Sequence, residues 1–135
     1  TALCLDNCIP RAGAELIPEK TIPLEANLEG FGALSFSKGC YLGQELTART
    51  KHQGLVRKKL FTVQVDGDIS REMLDEGVVI YAEAQKLGVL LSYQDGVGIA
   101  KLRIEEASAQ QGIKWQGVLK ESKKECCKTQ YLPRK

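Results

Sequence analysis

The stretch KLGVLLSYQDGVGIAKLRI, residues 86–104, decides the fold. Two apolar-rich runs, 86–93 and 97–104, flank Asp95 and Gly96, and an Asp-Gly pair between such runs is a strong short-range hairpin signal. Upstream, Phe61, Val63 and Val65 alternate with Thr62, Gln64 and Asp66, the period-two pattern of a half-buried strand, and Gly67-Asp68 marks the turn after it. Residues 77–83 and about 117–119 supply further strands. Several short strands with regular turns predict a small antiparallel barrel, an architecture that closes its own edges.

Around that barrel the chain has room for little else. Its 135 residues, 43% of them hydrophobic, can bury one modest core or one small domain plus an appendage. A net charge of +2 is too mild to point to nucleic acid, and no apolar run is long enough to span a membrane. The first residue is Thr1 and no signal-peptide pattern follows it, so the natural start is expected upstream. Residues 1–30 carry Pro10, Pro18 and Pro23, which predicts a short helix or strand and then an extended connection. That segment is expected to need a neighbouring domain to pack against. Residues 120–135 hold six Lys or Arg and little apolar content, as a mobile tail would.

The chemistry concentrates in KGCYLGQE, residues 38–45, where a single thiol lies among two glycines, a lysine and a carboxylate. Ser35 and Phe36 read as a strand end, and Leu42, Leu46 and Arg49 repeat at helical spacing, placing Cys40 near a helix N-terminus. Ser37 or the backbone at Cys40 is expected to cap that helix, Gly39 and Gly43 to allow close approach, and Gly54 to stop it after Thr50 or His52. A helix terminus and the Lys38 cation both favour thiolate. An ordinary thiol is about 3% ionised at pH 7, and raising that to half takes roughly 2 kcal/mol. A helix terminus supplies only about 0.3–1 kcal/mol, so Lys38, backbone donors or a bound metal must complete the shift. The competing reading is a small thiol buried beneath the helix, the commoner fate of a free cysteine.

KGCYLGQELTART, residues 38–50, resembles the signature of the YgfZ-type branch of the folate-binding, aminomethyltransferase-like superfamily. The likeness extends through IPLEANL (22–28), RKKLF (57–61) and GVGIAKLR (96–103), covering about residues 5–107. Its nearest likeness within the branch is to mitochondrial assembly factors for 4Fe-4S proteins. The resemblance implies an α+β fold: the C-terminal end of a folate-binding domain with the motif over residues 1–54, a small antiparallel β-barrel over 55–120 and a basic tail over 121–135. Most of the folate-binding region of such proteins is missing here.

What the family does is carried over residue by residue. Cys40 becomes a thiolate ligand or redox handle tuned by Lys38. Gly39, Tyr41, Gly43, Gln44, Glu45 and Arg49 become the residues that shape the loop or contact tetrahydrofolate. One thiol cannot hold an iron-sulfur cluster alone, so the cluster is expected to be shared transiently with an A-type iron-sulfur carrier protein. The implied location is the mitochondrial matrix, and the implied role is not that of a classical enzyme, although the family is transferase-like. Two other readings stand beside this one. A folate-dependent aminomethyl transferase would place its catalytic acid in a region this chain lacks, and that branch generally lacks the motif cysteine. A structural barrel without independent activity is the third reading.

The remaining chemical residues have plain readings. Cysteines at 4, 8, 40, 126 and 127 form no CxxC pair and their odd number argues against a disulfide framework, so a reducing compartment is expected. Cys4 and Cys8 would share a face if 2–8 were helical, but such cysteines usually pack as small hydrophobes. Cys126 and Cys127 read as solvated thiols. Arg49, Lys51, Arg57, Lys58 and Lys59, with His52 among them, read as a solvated face or as a docking face for an acidic partner or a folate glutamate tail. Trp115 reads as a barrel anchor.

Overall fold

Six strands close on one another in the computed structural model, in the order β1-β4-β3-β2-β5-β6. They are β1 (Lys58–Asp66), β2 (Val78–Ala82), β3 (Gln85–Gln94), β4 (Val97–Arg103), β5 (Lys114–Leu119) and β6 (Glu125–Tyr131), and every neighbouring pair is antiparallel. Helices are α1 (Ala2–Asp6), α2 (Gln44–His52) and α3 (Arg71–Glu76). The structure describes residues 2–54, 56–82, 85–105, 114–119 and 125–131, the last two ranges as backbone strands only.

The β3–β4 hairpin forms where the sequence places it. Asp95 and Gly96 adopt φ of 50° and 84°, the two positive values that a two-residue turn matched to strand twist requires. Val63, Val65, Ile80, Leu87, Leu90 and Leu102 fill the barrel interior. Gly88 is obligatory on packing grounds, because a Cβ there would lie 1.9 Å from the Lys101 carbonyl oxygen. Ser70 caps α3 by accepting a hydrogen bond from the Met73 N–H, and Met73 and Leu74 lie against the interior cluster.

A second apolar layer covers the outside of β1 and β4. Leu5, Cys8 and Ala26 from the N-terminal segment are buried with Leu60 and Ile99. The seam is also hydrogen-bonded: Thr62 Oγ1 donates to the Leu5 carbonyl at 2.8 Å and Asn27 Nδ2 to the Leu60 carbonyl at 2.8 Å. Lys101 pairs with Glu25 at 3.4 Å across it. A bulge in β3 between Leu90 and Ser92 gives that strand an extra residue, and partly buried Leu91 joins the outer layer.

Part of the N-terminal segment, through Leu5, Cys8 and Ala26, packs on the barrel, while Leu3, Ile9, Ile17 and Ile22 stay exposed. Three expectations are corrected. After α1 that segment runs as successive turns, with bonds such as Ala26 N–H to Ile22 and Leu28 N–H to Pro23, rather than as an extended connection. The stretch expected as a tail contains β6, whose backbone pairs with both β5 and β1 and closes the barrel. Ser35 and Phe36 lie in irregular backbone, not at a strand end. The expectations for the side chains of Trp115, Cys126 and Cys127 fall outside the described residues.

Candidate functional site

Tyr41 and Gln44 build the motif turn between them. The Gln44 N–H donates to the Tyr41 carbonyl at 3.2 Å, and Gln44 Oε1 accepts from the Tyr41 N–H at 3.3 Å. Gly43 then starts α2 with φ of 84°, a left-handed value that side chains rarely adopt, and no side chain caps the helix. Ser37 is therefore not the cap; its hydroxyl lies 3.5 Å from that of Ser35. At the far end the Gly54 N–H closes on the Lys51 carbonyl with φ of 62°, so Gly54 stops the helix as its position predicts.

This turn displaces Cys40 from the helix. Cys40 precedes the first helical residue, Gln44, by four positions and lies outside the helix. Its side chain is exposed, which removes the buried-packing reading. Lys38 Nζ sits over the Tyr41 ring, 4.9 Å from its centroid, so its placement is a cation–π contact with the motif aromatic. A Cβ built on Gly39 or Gly43 meets open space, so Gly43 is required for its backbone angle rather than for clearance.

α2 presents rather than buries its side chains. Glu45 and Arg49 pair with each other at 2.6 Å on its exposed face, Leu42 is fully exposed and Leu46 is 70% exposed. Lys51 ties the helix down, bonding Glu29 and lying 4.0 Å from the centre of the Phe36 ring. Glu29 and Phe36 were not legible as supports of the motif, because no periodicity links them to it. His52 is exposed, as a surface residue would be.

The titratable group most altered by the fold lies in the seam, not in the motif. Burial by itself would raise the pKa of Glu15. The Arg11 side chain, the Ser92 hydroxyl and backbone N–H groups outweigh that cost and hold the carboxyl below its ordinary value. Arg11 donates to Glu15 from its backbone N–H at 2.8 Å and from its guanidinium at 2.8 Å, and the same carboxylate raises the Arg11 pKa. Ser92 is the weaker member, with no partner for its buried hydroxyl at standard hydrogen-bond distance.

Tyr41 to Leu46 and Arg49 line an open hollow of about 480 Å³ in which Gln44 bonds the turn and Glu45 bonds Arg49. The Tyr41 hydroxyl is buried and has no hydrogen-bond partner among the described residues. Among the described residues no three His, Cys, Asp or Glu converge as a metal site. Cys8 is buried beyond the end of α1 with φ of 53°, so it and Cys4 do not share a helix face.

A barrel with a cysteine turn and an exposed helix before its first strand defines a class. Residues 57–122 match the family described as CAF17, C-terminal beta-barrel domain. Over 99 residues the chain is 43% identical to the mouse iron-sulfur cluster assembly factor IBA57, mitochondrial, covering 72% of this chain and 28% of that protein. The human protein of the same name is 40% identical over 99 residues, again 28% of its length. A homologue from the fungus Phaeosphaeria nodorum is 50% identical over 56 residues, 42% of this chain and 14% of that protein. Over these stretches the chain is similar to the IBA57 assembly factors, and it spans under a third of the length of the relatives it matches.

Proposed function

We propose that this protein serves mitochondrial iron-sulfur cluster assembly and that Cys40 is its point of contact with the cluster. The observation carrying this reading is an exposed thiol just ahead of the Tyr41–Gln44 turn, which leads into a helix with no buried residue. The relatives named as mitochondrial assembly factors supply the process and the compartment. The cluster is cargo here. Cys40 offers one thiolate, and the remaining ligands come from a carrier protein of the A type, since clusters take several thiolates and the described residues gather no second set. Metal ligation itself deprotonates a thiol. Of the two implied small partners, the cluster is the one this reading places at Cys40.

The test is anaerobic titration of the 135-residue chain with a cluster-loaded A-type carrier, followed by visible absorption and gel filtration. A coloured, co-eluting complex that forms with wild type and not with Cys40→Ser is the expected result. Complex formation that ignores the substitution would remove Cys40 from the mechanism.

A further inference from the structure

A second surface follows α2 in the chain, beyond its last residue, His52. There Arg57, Lys58 and Lys59 follow one another, all exposed, and none has an ion pair among the described residues. Lys58 stands directly opposite exposed Arg103 in the β1–β4 register, on the same face of the sheet. Beside this pair the Ile104 N–H donates to the Arg57 carbonyl at 2.9 Å, which fixes the backbone at this end of the sheet.

Arg57, Lys58 and Arg103 border a groove of about 920 Å³ whose floor includes half-buried Val56 and Ile104. Two carboxylates also line it: Glu25, already paired with Lys101, and exposed Glu105. Lys59 borders the adjoining hollow, which shares Gly54 and Val56 with the groove.

We infer that this groove docks an acidic, partly apolar polypeptide segment of a partner protein. Arg57 and Lys58 beside half-buried Val56 and Ile104, with Lys59 on the adjoining hollow, match a segment in which carboxylates are interspersed with apolar side chains. A polyphosphate chain would leave Val56 and Ile104 unused and would meet Glu105. The inference does not depend on the cluster chemistry of Cys40, and its test involves no cluster.

The probe is a fluorescein-labelled peptide alternating glutamate and leucine, titrated with the full chain by fluorescence anisotropy. It binds at low salt and weakens as salt rises. Binding falls about tenfold in Arg57→Glu/Lys58→Glu and by less in the milder Arg57→Gln/Lys58→Gln. The control Lys86→Glu, an exposed lysine on β3, leaves it unchanged. Circular dichroism verifies that each variant folds. The inference is overturned if the peptide does not bind wild type, if it binds the reversed variant equally well, or if polyglutamate of equal length or oligothymidine binds as tightly.

Discussion

Replacing Leu5 by alanine tests whether the N-terminal segment is a true layer of this fold. Leu5 is 1% exposed, packed with Cys8, Ala26, Leu60 and Ile99. Truncating a buried leucine costs about 2.7–5 kcal/mol, the spread reflecting how far neighbours settle into the void. One side of this void is a segment of turns that can relax, so about 3 kcal/mol is expected. That is a large share of the roughly 5–15 kcal/mol available to a domain, and lowers the melting temperature by about 10 °C. Native-state hydrogen exchange locates the loss. The amides of Ala26 and Leu28, bonded within the segment, should exchange faster, while those of Val63 and Leu102 in the barrel should change less. A cost below about 1 kcal/mol with unchanged exchange at Ala26 and Leu28 would refute the docking, because a merely surface substitution behaves that way.

Three further outcomes are expected. The depressed Glu15 pKa means that its ionised form favours the folded state, so this contribution is present above its ordinary value of 4.5 and is lost as pH falls through the lower folded value. Glu15→Gln should therefore lower stability at neutral pH and flatten the acid limb of a melting-temperature profile; an unchanged acid limb contradicts the assignment. Gly88→Ala should cost about 3 kcal/mol or more in denaturant unfolding, since its methyl would drive into the Lys101 carbonyl and the two strands must separate. Cys40→Ala should leave the melting temperature within about 1 °C, as an exposed side chain predicts, and a severe drop would return Cys40 to a packing role.

The barrel strands were legible because alternation and the Asp95-Gly96 turn are local signals. β6 was not: Glu125, Lys128 and Gln130 make it read as a solvated stretch, and its place comes from backbone pairing with β1, which leaves no mark on composition. α3 was missed because REMLDE spans only six residues, with a capping serine and two partly buried side chains as its whole signal. Alternation also predicted one buried face for β1, yet Leu60 and Thr62 on the other face engage the N-terminal segment, an interaction set by distant residues. In the motif, the helix end at His52 and its stop at Gly54 followed from sequence, whereas its start did not. The Tyr41–Gln44 turn and the left-handed Gly43 move it past Cys40.

Barrel closure has a consequence for biosynthesis. Val63 to Asp66 of β1 pair with Tyr131 to Lys128 of β6, so the barrel's first strand to leave the ribosome waits for a strand more than sixty residues later. Until then β1 and β5 each offer an unpaired edge to other chains. Pairings between such distant segments form slowly, and the unclosed sheet is the species on which a chaperone would act. A premature stop before Glu125 would thus endanger solubility well before it altered any chemistry at Cys40.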